Sequence, residues 1–557
     1  MARRLRRGDG AALFGLLWAA SCVFLVALRF SPRDGSISNP SVASKPQVFD
    51  PKWASDSVSN GVLTGRATLS LVESLPVGDF NLQSAVPQTF ETLGRHVHAA
   101  KISIDLSAMY WNLLGEEDRK VYSDAEMAKF GAERGKNLLS ALQDAAARGV
   151  KIRILTAKQS PKEGDTDEIL DKTATSCSTL PTEVQTLVGA GKGNVQVRCW
   201  SGPEWYGSGI LHQKIWVFDA QNVYVGSANM DWKSLAQVME VGVIMENLTP
   251  SSAVIQDIQK LFETWWMFAS SELLPAKADT YFSESFQHEL QVPKWSLYLP
   301  EDKRSEDPFV KAGLSALGDI SHQLRTPFST FSTRNDTGEG GEMESTAAEM
   351  FIAAAPLEAT AAHSRTFDED ALVYTIRSAK SFVSLSVMDF TPFSMYTPGP
   401  LHWPALTDAL LAGVFSKPGL HVRLLISQWQ HTSPQMLEAL ATLKKQAELC
   451  QHTHARCSGR LEIKIFRVPG WQNTTSTASS KASWPSYTRV NHAKYIVTDT
   501  RANVGTSNME WGYFYTTAGA SINTNHESTR KSLEQVFARN WNSSYAKPLE
   551  EVMSTES

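Results

Sequence analysis

Gly209-Ile-Leu-His-Gln-Lys-Ile-Trp-Val-Phe-Asp219 is followed, after a short polar break, by Val223-Tyr-Val-Gly-Ser-Ala-Asn-Met-Asp-Trp232. His212, Lys214 and Asp219 stand in the spacing H-x-K-x4-D, with Gly226, Ser227 and Asn229 behind them. The pattern returns 280 residues later as His492, Lys494 and Asp499, then Gly505, Ser507 and Asn508. Side chains at i and i+2 of an extended chain share a face, so each histidine points with its lysine. The turn that follows brings an amide beside them. Each copy therefore gathers an imidazole, an ammonium and an amide, a set suited to a tetrahedral phosphate. The cation and amide donors serve its oxygens, and an imidazole serves the phosphorus or a leaving oxygen.

The region around each motif is duplicated as well. In the first half Thr89–Ala99 is spaced as a helix, Lys101–Tyr110 as a buried strand and Asn137–Arg148 as a helix stopped at Gly149. Val150–Leu155 and Asn194–Cys199 then read as strands before the first motif. The second half repeats the order with Asp370–Ala379, Ser381–Met388, Pro404–Phe415, His421–Ile426 and Leu461–Phe466. Alternating helices and strands imply an α/β fold. The expected architecture is two pseudo-symmetric lobes, each a mixed β-sheet flanked by helices, with the two motifs meeting at the lobe interface.

Two complete motifs in one chain resemble the phospholipase D superfamily, whose signature is a paired HKD motif. The resemblance extends to Leu71-Val-Glu-Ser-Leu-Pro76, Val422-Arg-Leu-Leu-Ile-Ser427 and Arg489-Val-Asn-His-Ala-Lys-Tyr-Ile-Val-Thr498, which look like the phospholipase D three/four branch. Members of that branch act as lysosomal 5′-exonucleases of single-stranded DNA and RNA, and some are implicated in transphosphatidylation. The resemblance implies a phosphodiesterase with a phosphohistidine intermediate, and phospholipase D or transphosphatidylase chemistry on phospholipids as the alternative. It makes His212 the nucleophile and His492 the acid, or the reverse. Lys214, Lys494, Asn229 and Asn508 would hold the non-bridging oxygens. Asp219 and Asp499 complete the catalytic motifs, although bracing of their own loops is the role their position favours. Glu240 matches the family carboxylate that orients an imidazole, whereas the second half has no glutamate in Thr516-Thr-Ala-Gly-Ala-Ser521. The chain departs from vertebrate members in keeping aspartate at 499 and in the positions of its cysteines.

The 557 residues are 42% apolar and 20% charged, which fits a folded chain. A net charge of −5 gives no global signal for nucleic-acid binding, so any basic groove must be local. Residues 1–10 carry Arg3, Arg4, Arg6 and Arg7, and 11–28 run without a charge. Eighteen residues span about 27 Å as a helix, so 11–28 reads as a transmembrane signal anchor behind a cytoplasmic tail. A cleaved signal peptide is the alternative. Residues 30–66 read as a stalk, 67–319 as the first lobe, 320–365 as an interlobe linker and 366–549 as the second lobe.

Sequons at Asn247, Asn335, Asn473 and Asn542 suit a glycosylated lumenal body, placing the expected type II protein on a route from endoplasmic reticulum to lysosome. Release as a soluble lumenal form is a further possibility. Cys177 with Cys199, and Cys450 with Cys457, could close disulfides in such a compartment; four free thiols are the alternative. No Cys/His spacing suggests zinc, and no metal or cofactor is expected. The expected partner is single-stranded nucleic acid, with phospholipid and a second copy of the chain as further candidates. Tyr110, Trp111, Trp205, Tyr206, Phe390, Phe393, Trp511 and Tyr513 are candidate base-stacking residues.

Overall fold

In the computed structural model the first motif leads into the inner hairpin of a seven-stranded mixed sheet. The structure describes residues 62–63, 67–158, 177, 180–203, 208–249, 252–269, 329–332, 347–356, 366–396, 401–453, 457–474 and 480–556. The expected tail, anchor and nearly all of the stalk lie outside these residues, as do Asn335, Trp205 and Tyr206. Among the described residues no helix is long and apolar enough to cross a membrane.

The first sheet comprises β1 (Thr68–Ser74), β2 (Ser103–Ala108), β3 (Lys151–Ala157), β4 (Val195–Trp200), β5 (Ile215–Phe218), β6 (Asn222–Gly226) and β7 (Glu240–Glu246). Its spatial order is β1-β7-β6-β5-β2-β3-β4. The second contains β8 (Ala347–Ala355), β9 (Phe382–Val387), β10 (His421–Ser427), β11 (Arg460–Phe466), β12 (Tyr495–Thr498), β13 (Ala502–Gly505) and β14 (Gly519–Thr524). Their order is β8-β14-β13-β12-β9-β10-β11, the first order with seven added to every label. Short strands at Val62–Leu63, Ser329–Ser332, Thr366–Phe367 and Ala546–Pro548 extend the second sheet. The duplication is thus a whole sheet.

One boundary expected from sequence is corrected. Residues 320–365, read as a linker, contain β8, the counterpart of β1, together with the Ser329–Ser332 strand. The β8 sequence Ala-Ala-Glu-Met-Phe-Ile-Ala-Ala-Ala is poor in β-branched residues and shows no polar alternation. It is a strand because both its faces are covered. Met350, Ile352 and Ala354 enter one apolar cluster while Phe351 and Ala353 enter another.

Alternation in the motif hairpin sets the layers. Ile215, Val217, Val223 and Val225 face inward to a core shared with Met350, Tyr495, Val497, Val504 and Ile522 of the second sheet. Trp216, Phe218 and Tyr224 face outward, under helices α1 (Thr89–Ala99) and α2 (Glu133–Ala147). Gly149 (φ 93°) ends α2, and the Val150 N–H reaches back to the Ala145 carbonyl at 3.1 Å. On the second sheet α4 (Asp368–Ser378) and α5 (Ala405–Ser416) take the equivalent outer positions. Two sheets buried on both faces lie between two helical layers, the reason these strands read as continuous apolar runs.

One helix of each lobe crosses to the other: α3 (Ala253–Phe268) packs on β8, and α6 (Glu527–Trp541) packs on β1. Arg539 of α6 grips Glu73 of β1 through both carboxylate oxygens at 2.7 Å. Glu73 is 1% exposed and also accepts from the Ser84 hydroxyl and the Ala85 amide. Removing one member of a buried ion pair leaves an uncompensated charge, costing about 3–5 kcal/mol. Arg539→Met should lower the unfolding free energy by about that much, whereas the Glu73→Gln/Arg539→Met double variant should regain most of it. Chemical denaturation of the two variants beside wild type measures the difference.

Candidate active site

Each histidine precedes its strand rather than lying in it, and each is anchored by the other lobe. The His212 amide donates to the Ala518 carbonyl at 2.9 Å, and the His492 amide donates to the Met239 carbonyl at 2.8 Å. Isolated parallel bridges at Leu211/Ala518 and Met239/Asn491 complete this reciprocal clasp. Three residues before each histidine the backbone is left-handed, at Gly209 (φ 86°) and Arg489 (φ 57°). A Cβ at Gly209 would come within 1.9 Å of the Thr516 carbonyl oxygen, so only glycine fits there. Arg489 is buried and holds both lobes, donating to the carbonyls of Val77, Asp79 and Pro469 and to the Gln237 amide oxygen.

The clasp brings the imidazoles of His212 and His492 to 6.2 Å between ring centres, inclined at 70°. One tetrahedral phosphorus can contact both. Lys214 and Lys494 each donate one N–H to the carbonyl of their own histidine, at 2.9 and 2.7 Å. Their remaining protons are left for an anion. Burial depresses both lysines, and Glu240 opposes the shift in each.

The histidines differ in one decisive partner. His492 Nδ1 bonds Glu240 at 2.9 and 3.1 Å, and Glu240 is 1% exposed. Burial lowers the basicity of His492, and Glu240 opposes this while Lys494 reinforces it. Among the described residues no carboxylate bonds His212. Burial drives it well below the ordinary imidazole range, then Lys214, Lys494 and His492 add to the effect, opposed by the Thr506 main chain. When the pair holds a single proton, that proton therefore resides on His492. The position matching Glu240 in the second sheet is Gly519, from the equivalent antiparallel pairs Gly226/Gly242 and Gly505/Ser521. A Cβ there would meet Ser507 Oγ at 2.3 Å, whereas the residue corresponding to Ser507 in the first lobe is Ala228. The second motif has filled the space a second glutamate would occupy.

Comparison with known proteins agrees with this geometry. Residues 98–266 match the family model described as cardiolipin synthase, PLD-like domain, and residues 330–471 match that of the PLD3/4, PLD-like domain. The chain is 31% identical to phospholipase D Z of Dictyostelium discoideum over 486 residues, 86% of this chain and 91% of that protein. The chain belongs to the phospholipase D superfamily. Phospholipase D Y of Dictyostelium discoideum is 29% identical over 90% of this chain and 95% of its own length. The 5'-3' exonuclease PLD3 of Bos taurus is 30% identical over 86% of this chain and 80% of its own length. Within the superfamily the chain falls in the PLD3/4 branch, and it is a phosphodiesterase.

Of the expected phospholipase D residues, the two histidines, two lysines and Glu240 converge. The asparagines adjoin them with their donors engaged. Asn229 Nδ2 donates to the Tyr110 hydroxyl at 3.4 Å, and Asn508 Nδ2 to Asp389 at 2.8 Å and the Tyr513 hydroxyl at 3.2 Å. Asp219 and Asp499, counted with the catalytic motifs, are braces, the role their position favoured. Asp219 accepts the amides of Lys101, Ile102 and Ser103, and Asp499 those of Lys380 and Ser381, at 2.7–3.2 Å. Each lies at the far end of its strand, about 16 Å along the chain from its lysine.

Asp389 and Glu510 were missed. Asp389 is buried beside Lys494, with the Tyr396 hydroxyl donating to it at 3.4 Å. Burial drives Asp389 up and Lys494 down, and each charge moderates the other. Glu510, pushed up to about 7 by burial, accepts from the Met395 amide. The signal was present in the repeat. Leu106-Ser-Ala-Met-Tyr-Trp111 aligns with Leu385-Ser-Val-Met-Asp-Phe390, and Asn229-Met-Asp-Trp232 with Asn508-Met-Glu-Trp511. Tyr110 and Asp389 therefore hold equivalent places, one a hydroxyl and the other a carboxylate.

The proposed stacking aromatics are corrected too. Trp111, Phe390, Trp511 and Tyr513 are buried core residues, although Tyr513 also meets the edge of His212 at 5.0 Å between ring centres. Tyr110 and Phe393 are half-buried. Disulfides join Cys177 to Cys199 and Cys450 to Cys457. Asn247, Asn473 and Asn542 are exposed.

Glu240→Gln removes the charge that favours the His492 imidazolium, so the folded-state pKa of that histidine should fall further. A step requiring protonated His492 is lost as pH rises through that pKa. The alkaline limb of the pH–rate profile should therefore move toward acid, with a maximal rate lower by about 100-fold. Profiles of wild type and variant on one substrate measure both effects, and a change in amplitude alone would count against this electrostatic role.

Proposed function

We propose that the protein is a 5′-to-3′ exonuclease of single-stranded DNA and RNA that works through a phosphohistidine in the endoplasmic reticulum–lysosome lumen. The observation that carries the catalytic assignment is the pairing of Glu240 with His492, a carboxylate that His212 lacks among the described residues. The neutral imidazole of His212 attacks phosphorus, forming a P–N bond as the P–O bond to the leaving alkoxide breaks. With Nδ1 held by Glu240, His492 uses its other nitrogen to give that alkoxide a proton. Neutral His492 then takes a proton from water as its oxygen attacks the same phosphorus, and the P–N bond breaks to restore His212. Lys214 and Lys494 stabilise the charge that grows on the non-bridging oxygens. The nucleic-acid substrate is supported by the exonuclease relatives. The lumenal location is supported by the two disulfides and by the exposed asparagines of three sequons. Its membrane anchor would be residues 11–28.

A second reading, phospholipase D or transphosphatidylase activity on phospholipids, is favoured by the names of the two Dictyostelium discoideum relatives. Incubation of the purified lumenal portion with end-labelled single-stranded oligonucleotides and with phosphatidylglycerol vesicles separates the two. Loss of single nucleotides from the 5′ end is the expected result. Turnover should persist in excess EDTA, because lysines supply the charge stabilisation. His212→Ala should abolish turnover. His492→Ala should slow it by about 10²–10⁴-fold and, with a substrate bearing a good leaving group, allow acid-labile phosphate to accumulate on His212. Label found on His492 alone in the wild-type enzyme would reverse the assignment.

A further inference from the structure

Three aromatic rings of the second lobe form a contiguous cluster. Trp429 and His431 lie 4.7 Å apart between ring centres, and His431 stacks on Tyr487 at 5.1 Å with 26° between planes. Trp429 and Tyr487 are 6.1 Å apart. Tyr487 is 41% exposed and His431 is exposed, while Trp429 is half-buried. The cluster is continuous with the site. Trp429 packs on Val238, Met388 and Val490, which lie within two residues of Glu240, Asp389 and His492. Just before Trp429, the Ser427 hydroxyl bonds the carbonyl of Asn491, the residue preceding His492.

The backbone behind the surface is held firmly. Tyr487 is left-handed (φ 59°), an uncommon state for an aromatic residue, as is Arg489 two positions on. The buried Arg489 guanidinium stacks on Trp484 at 3.9 Å while its hydrogen bonds reach both lobes. That anchoring fixes the turn on which Tyr487 is presented. His431 and Tyr487 are near-parallel while Trp429 stands at 78° to His431, so the cluster offers ring faces and an edge. With Trp429 packed on residues one or two positions from Glu240, Asp389 and His492, it suits a planar ligand attached to the scissile phosphate.

We propose that Trp429, His431 and Tyr487 form a stacking platform for an unpaired nucleobase of the nucleic acid whose phosphate lies between His212 and His492. This rests on the exonuclease reading and adds to it where the strand leaves the catalytic centre. Stacking needs only a π-face, so the platform accepts any base, but it demands a single strand because a paired base has its faces covered. The position on the second-lobe side, next to His492, puts the platform on the side of the imidazole that serves the leaving group. The base it holds would therefore belong to the leaving portion of the strand.

The test compares wild type, His431→Ala and His431→Ala/Tyr487→Ala, with Tyr487→Phe retaining a ring, on a single-stranded oligonucleotide. A matched series carries an abasic residue at successive positions, and a 2,2,2-trifluoroethyl 3′-phosphodiester of thymidine, whose leaving group has no ring, reports on the catalytic centre alone. The platform predicts a KM for the oligonucleotide raised about tenfold or more in the double variant, little change in Tyr487→Phe, and unchanged turnover of the small diester. In wild type one abasic position should raise KM similarly, and in the double variant that position should cost nothing further. Equal losses on the oligonucleotide and the small diester would overturn the platform in favour of a structural role. So would an unaltered KM, or an effect confined to phosphatidylglycerol vesicles. If wild type degrades the oligonucleotide while the variants match it, the platform alone fails; if wild type degrades none, the exonuclease reading fails with it.

Discussion

The reciprocal clasp between each histidine and the opposite lobe is the constraint on which the rest depends. Two sheets packed through apolar side chains could slide without large cost, because dispersion contacts have little directional preference. Main-chain bonds from His212 to Ala518 and from His492 to Met239 remove that freedom. They fix the separation of the imidazoles by the backbones that also form the two cores. The left-handed residues at Gly209 and Arg489 turn the chain into the clasp, so even the left-handed positions occur as a symmetric pair.

Given that frame, the chemistry follows from one broken symmetry. A perfectly duplicated site would give both imidazoles the same surroundings and the same proton affinity, and a two-step displacement needs them unequal. Glu240 in the first lobe and Ser507 against Gly519 in the second supply the difference with a few atoms. The carboxylate belongs to one motif and acts on the histidine of the other. Neither lobe alone can set up the acid and the nucleophile.

The buried charges around the site work in opposition. Burial and then Lys214 and Lys494 depress His212, and burial depresses the lysines in turn. Asp389 and Glu510 lie on the second-lobe side only, where Tyr110 and Asp231 stand in the first. An arriving phosphate would add negative charge to this network and restore the lysines toward full protonation. Substrate therefore completes an electrostatic balance that the unliganded protein leaves uneven.

The sequence by itself determined the α/β class, the duplication and the identities of His212, Lys214, His492, Lys494 and Glu240. Local chemistry sufficed, because a motif with fixed spacing needs no knowledge of its neighbours. It also contained Asp389 and Glu510, visible once Leu106–Trp111 is laid on Leu385–Phe390 and Asn229–Trp232 on Asn508–Trp511. Only the tertiary structure decided that Ala347–Ala355 is a strand, since an alanine-rich segment becomes one by being covered on both faces. It alone showed Trp111, Phe390 and Trp511 in the core and Trp429, His431 and Tyr487 at the surface, for an aromatic ring has no local signal that separates packing from presentation. Above all, it decided that Glu240 serves His492, 252 positions away. A pairing across two lobes is set by how their sheets dock, and no spacing along the chain encodes it.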